Sequence, residues 1–208
     1  WTRRCFYWAA RPRLVPAGDM FTASNSGGAY VVPDHVNGFA SDGSELQTGE
    51  HLEADIIVSA TGLKLLVMGG AAFMVDGEAI DFSNQTTYKG LMVSDVPNMV
   101  TIFGYINASW TLRADLAAEW VCRALNHMSS TQTTKMVPVV PESLKDMPTK
   151  DWIADFPAGY MQRSMHLQPR QGDQAPWVNS QNFRKERALF GKPLASDEAL
   201  HFSAAANP

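Results

Sequence analysis

Cysteine is scarce in this sequence: Cys5 and Cys122 are the two among 208 residues. They form neither a CxxC pair nor a metal-ligand spacing, which argues against a dithiol reductase and a thiolate metal site and marks both as free thiols of a reducing, cytoplasmic compartment. Histidine offers no substitute, because His35, His51, His127, His166 and His201 stand apart and at no metal spacing. No metal ligand is therefore assigned. An excess of basic charge is also missing: 17 Lys and Arg face 21 Asp and Glu, for a net charge of -4. That balance excludes a nucleic-acid partner and leaves Arg3, Arg4, Arg11 and Arg13 as a local, solvated cluster. The longest apolar window, Ile56 to Val75, has Lys64 as its one charge but breaks at Thr61-Gly62 and Gly69-Gly70. It reads as a strand and loops, so no membrane span is expected. Ser24 to Gly28 lacks the lysine of a phosphate loop, and neither Ser59 nor Ser109 has the G-x-S-x-G context of a hydrolase. No internal repeat or heptad array occurs. The chain opens on Trp1 with neither an initiator methionine nor a signal peptide, so it is expected to be part of something longer.

What is present belongs to a globular protein, with 45% hydrophobic and 18% charged residues. From Ala29 to Ala60 the pattern is β-like. Asp42-Gly43 signals a hairpin and Gly49 a further turn, and "ADIIVSAT" reads as a strand buried on both faces. Residues 71 to 98 read as a second, irregular β region with turns at Asp76-Gly77 and near Ser83-Asn84, followed by "MVTIFG" (99 to 104) as another buried strand. Leu112, Leu116, Trp120, Val121, Ala124, Leu125 and Met128 recur at helical spacing, with Arg113, Asp115, Glu119 and Arg123 on the other faces. Three prolines (Pro138, Pro141 and Pro148) make an extended connection, and the aromatic tail beyond it (Trp152, Phe156, Tyr160, Trp177, Phe183, Phe190, Phe202) is expected to wrap the body of the protein.

"GYINASWTLRADL" (104 to 116) is where chemistry concentrates. A helix that begins directly after a strand aims unpaired N–H groups and a partial positive charge at whatever lies ahead of it. Asn107, Ser109 and Thr111 have side chains that either cap such a helix or bind ligand oxygens, the small Ala108 permits close approach, and Trp110 reads as buried at the junction. The residues alone leave capping and ligand binding both open.

"ADIIVSATGL" (54 to 63) followed by "VPNMVTIFGYINASWTLRADL" (96 to 116) resembles the C-terminal half of the flavin-dependent monooxygenases, specifically the Baeyer-Villiger type close to the EthA-like enzymes. "RLVPAGDMF" (13 to 21), "YKGLMVSDVPN" (88 to 98), "FPAGYMQRS" (156 to 164) and "PRQGDQAPW" (169 to 177) extend the likeness in the same order. It implies an α/β fold carrying part of two Rossmann-like dinucleotide-binding domains: a β-rich N-terminal part, a central strand-turn-helix and an extended aromatic tail. Residues 1–61 would complete an NADPH-binding domain and residues 62–208 the FAD-binding domain. The implied cofactor contacts are Ala60, Thr61 and Gly62 at the crossing between domains, and Asn107, Ala108, Ser109, Trp110, Thr111 and Leu112 at the helix tip facing the flavin. No catalytic residue is implied within the chain: the GxGxxG fingerprints, the FxGxxxHxxxW signature and the active-site arginine fall upstream of residue 1, and neither Arg113 nor Arg163 takes that last role. "WTRRCFYWAA" departs from the family pattern.

The implied reaction inserts one oxygen atom from O2 into a ketone or a sulfur compound, with FAD and NADPH as cofactors and a small molecule as substrate. Two alternatives stay open: a non-catalytic remnant that folds with a partner, either the missing N-terminal half or a second copy meeting exposed strand edges, and a flavoprotein reductase without oxygen insertion.

Overall fold

A computed structural model describes residues 18–204 except 154, 155 and 157. The arginine cluster at Arg3 to Arg13, Cys5 and the "WTRRCFYWAA" stretch lie outside the described residues, as do parts of "RLVPAGDMF" and "FPAGYMQRS". The architecture is α/β with small antiparallel sheets, and it divides into two compact units, residues 1–63 and 64–208.

The first unit contains a short helix α1 (Asp19–Asn25) and three strands, β1 (Val36–Ala40), β2 (Gly43–Leu46) and β3 (His51–Glu53), in an antiparallel meander. The hairpin signalled at Asp42-Gly43 forms, with Ser41 and Asp42 as its loop and Gly43 already in β2 opposite Ala40. "ADIIVSAT" departs from its reading as a buried strand. Residues 56 to 60 belong to no ladder, and Ile56 and Val58 are 81% and 82% exposed. An apolar run becomes a central strand only between flanking partners, and among the described residues none pairs with it. "AYVV" (29 to 32) is likewise irregular.

In the second unit β4 (Met74–Val75) and β5 (Glu78–Ala79) form a hairpin across Asp76-Gly77, both with positive φ (51° and 89°). A type I′ turn requires that conformation at its two central residues. β6 (Thr87–Tyr88) and β7 (Met92–Val93) form a second hairpin, turned at Lys89 and Gly90, again both at positive φ (53° and 63°). "MVTIFG" was expected to continue this region as a strand. It is irregular instead, tied to the hairpin where the Thr101 N–H donates to the Leu91 carbonyl at 2.7 Å. Parallel pairing among the described residues is confined to the isolated bridge between Thr86 and Arg170.

The long helix α2 (Trp110–Thr131) follows. Its buried residues are Arg113, Ala117, Trp120 and Ala124, so the inward face is rotated from the one the leucines suggest: Leu112 and Leu125 are exposed. The face is chosen by Trp120, the largest side chain at the centre of the helix, and by Arg113, whose burial is compensated by partners remote in sequence. Exposed Cys122 is a free thiol on this helix. No helix among the described residues is long and apolar enough to cross a membrane.

The aromatic tail packs onto the body as its composition predicts. β8 (Lys135–Pro138) leads through β9 (Lys150–Asp151), α3 (Gly159–Gln162), β10 (Arg170–Gln171) and α4 (Phe183–Phe190) to β11 (Leu200–Ser203), which returns to pair antiparallel with β8. Trp177, Phe190 and Leu200 join Tyr88, Leu91 and Trp120 in the main core. Trp152, Ile153, Phe156, Met161 and Met165 form a second cluster against Phe103 and Ile106. The end of the tail also supplies Asp197, whose Oδ2 accepts from the Tyr88 hydroxyl at 2.6 Å and the Lys89 ammonium at 2.7 Å. Burial pulls the Lys89 pKa down while the hydrogen bond and charge of Asp197 pull it up, and burial is the larger influence.

Candidate functional site

The α2 tip is open. Ser109 holds the N-cap position in extended conformation (φ -61°, ψ 133°), yet its side chain makes no capping hydrogen bond, and the first turn carries no acidic residue. The Ser109 and Thr111 hydroxyls bond to each other at 2.8 Å. Capping, the plainer role for these residues, is therefore not performed by the Ser109 hydroxyl. Asn107, Ala108, Ser109, Trp110, Thr111 and Leu112 are all exposed and contiguous at this tip. Ala60, Thr61 and Gly62 lie in the first unit, exposed and irregular, with Gly62 at φ 95°.

Trp110 is not buried, as its setting in the sequence suggests, but 46% exposed. One side of its indole rests on Phe103 (centroids 5.0 Å apart, 59° between planes), which in turn meets Trp152 edge-on at 4.8 Å. The rest of the indole covers Gly104, where a Cβ atom would collide with three ring atoms. Glycine is thus required by close approach, since a larger residue would lift the indole from its seat. Gly104→Ala is expected to cost about 1–3 kcal/mol, measurable by urea denaturation, and to displace Trp110. A variant as stable as the parent would show that the indole has room to move.

One turn into α2, Arg113 fixes the tip to its surroundings. Its guanidinium donates from Nε to Glu186 Oε2 at 2.9 Å, from Nη2 to Glu186 Oε1 at 3.3 Å and to the Lys89 carbonyl at 3.2 Å, and from Nη1 to the Phe103 carbonyl at 2.7 Å. Glu186, at the buried face of α4, also accepts from the Gln181 N–H at 3.1 Å and from the Ser180 hydroxyl at 3.3 Å. Gln181 extends the network, because its Oε1 accepts from the Ile106 N–H at 2.9 Å. Burial pushes the neighbouring Tyr105 hydroxyl well above its usual range, aided by the hydrogen bond and charge of Glu186 and opposed by Arg113. The helical spacing puts Arg113 off the apolar stripe, on another face of α2. Its partner is 73 positions away, and no local pattern signals it.

The arrangement presents a half-exposed indole and a helix end without a side-chain cap, both held by a rigid ionic network. Such a tip suits an anionic or electron-rich edge of a planar ligand. Over 94% of its length the chain is similar to FAD-containing monooxygenases. Two such relatives are the FAD-containing monooxygenase EthA of Mycolicibacterium smegmatis, 41% identical over 197 residues, and the "Probable FAD-binding monooxygenase AlmA" of Acinetobacter baylyi, 41% identical over 196 residues. EthA of Mycobacterium tuberculosis is also 41% identical over 196 residues. The chain spans about two-fifths of these relatives' length, 39% for the first two and 40% for the third. No protein-family model matches the chain, and no solved structure matches it significantly.

Proposed function

We propose that this chain forms the C-terminal share of an FAD- and NADPH-dependent monooxygenase of Rossmann-like build, which inserts one oxygen atom from O2 into a ketone or a sulfur compound. The observation that carries the reading is the α2 tip: a long helix whose N-cap residue provides no side-chain cap, opened by a half-exposed indole, in a chain 41% identical to FAD-containing monooxygenases. FAD, when bound, supplies the redox centre that NADPH reduces and that activates O2. The residues fit such a group. The helix N-terminus favours negative charge at the flavin edge by about 0.3–2 kcal/mol, Asn107, Ser109 and Thr111 offer hydrogen-bonding groups, and Ala108 leaves space for the ring. Trp110 would cover the ring edge and keep water from it. On the resemblance alone, Ala60, Thr61 and Gly62 make a second flavin-contacting element, residues 1–61 close the NADPH-binding domain, and residues 62–208 belong to the FAD-binding domain. A reducing, cytoplasmic setting fits the unpaired Cys122.

The exposed Ile56, Ile57 and Val58 favour a second reading, in which the chain acts only together with a partner that supplies the neighbouring strands. Titrating FAD into the purified 208-residue chain separates the two. Saturable quenching of flavin fluorescence, weakened about tenfold in Trp110→Ala through loss of the aromatic contact, is expected if the α2 tip contacts flavin without the upstream GxGxxG fingerprints. Absence of FAD binding by this chain, restored by adding the remaining part of a relative, would move the assignment to the second reading.

A further inference from the structure

Phe103 also lines a cleft of about 170 Å³ in the second unit. Its walls are apolar, formed chiefly by Leu65, Val67, Met92, Phe103 and Trp152. Two threonines also line it, but their hydroxyl protons are committed to backbone carbonyls: Thr87 donates to Met92 O and Thr101 to Leu91 O, each at 3.3 Å. Gln168 is the exception. It lines the cleft and is only 7% exposed, and its carboxamide makes no hydrogen bond among the described residues. Its backbone is fixed, since its N–H donates to the Met165 carbonyl at 3.0 Å and Pro169 follows.

Because Gln168 lines the cleft, a ligand or a water there can complete its carboxamide. A mostly apolar cleft with one such group has the make-up of a small-molecule site, in which apolar contact supplies affinity and the polar atom supplies orientation. A cavity of about 150 Å³ is known to accept a benzene ring, so this cleft admits a ring or a short carbon chain. We infer that the cleft binds a neutral, largely apolar molecule through one oxygen atom, and that Gln168 is the residue that selects for that oxygen. The carboxamide can donate to a carbonyl or accept from a hydroxyl, whereas a charged ligand would meet no counter-charge in these walls. The inference rests on the oxygenase reading only in calling this molecule a substrate; the binding itself requires no flavin.

The test uses two aromatic probes of similar size, acetophenone with a carbonyl oxygen and ethylbenzene without one, titrated into the 208-residue chain by NMR. Both are expected to shift the methyl resonances of Leu65, Val67 and Met92, with acetophenone bound roughly five- to tenfold more tightly, the worth of one neutral hydrogen bond. In Gln168→Leu the preference should fall to about one while ethylbenzene binding persists, which also reports that the variant is folded. If that variant does not fold, Gln168→Met takes its place with the same expectation. Equal affinity for the two probes in the parent chain, a preference that survives both substitutions, or shifts elsewhere than the cleft would overturn the inference. Water alone completing the carboxamide would appear as the first of these. FAD titration under the same conditions reads the oxygenase proposal separately, so either can fail without the other.

Discussion

Glu186→Ala is expected to destabilise the protein by about 3–5 kcal/mol, because it leaves the Arg113 guanidinium charged, buried and without its carboxylate. Both side chains are almost fully buried, at 0% and 2% exposure, so little solvent screening softens the loss. For a chain of this size the melting temperature should fall by roughly 10 °C. Glu186→Gln keeps the shape and the acceptor but not the charge, and should lie between the parent and the alanine variant. The double variant Arg113→Met, Glu186→Leu removes both charges and should recover much of the loss, since a buried pair replaced as a unit by apolar residues of similar volume is often neutral. Thermal and urea unfolding of the four proteins gives the ordering. A Glu186→Ala protein within 1 kcal/mol of the parent would mean that water reaches the guanidinium and that the α2 tip is less firmly held than the geometry indicates.

Gly90→Ala is the second large effect. Gly90 sits at φ 63°, where an L side chain costs about 1–2 kcal/mol. Its added Cβ would also strike the Arg113 guanidinium and approach Asn179 Oδ1 to 2.8 Å. Overpacking of that kind costs about 1–3 kcal/mol more. The two contributions separate in an Arg113→Met background: part of the steric cost should vanish while the backbone cost remains, so the same glycine substitution should be less harmful there. Equal penalties in both backgrounds would show that the Arg113 contact contributes nothing and leave backbone conformation and Asn179 as the causes. The turn that needs this glycine holds Lys89 as well, whose carbonyl accepts from Arg113, so the β6–β7 hairpin and the α2 tip are coupled through one contact.

Features set by neighbours in sequence were legible before any coordinates. Asp76-Gly77 marks its hairpin because few residues tolerate the backbone such a turn demands, whereas Asp42-Gly43 marks a hairpin whose loop is Ser41-Asp42. The span of α2 follows from its apolar spacing, and the aromatic tail had too much ring surface to stay in water. Features set by distant partners were not legible. Arg113 looks like any polar position on a helix until Glu186 is brought beside it by the fold of the tail. The "ADIIVSAT" run has the composition of a central strand but lacks strands on either side among the described residues. Trp110 reads as core, and its partial exposure follows from Gly104 and Phe103, which seat one side of the ring and leave the other uncovered. The candidate ligand contacts at residues 107–112 were legible as a helix start. Their lack of a side-chain cap was not, because Ser109 is as good a capping residue as any and only its bond to Thr111 shows that it does something else.

The carboxylate that Asp197 holds against Lys89 comes from near the last strand of the chain, and this makes the tail a checkpoint on its own integrity. A peptidase that trimmed the C-terminus past that residue would strip the counterion from an ammonium sealed in the core and release β11 from β8 at the same cut.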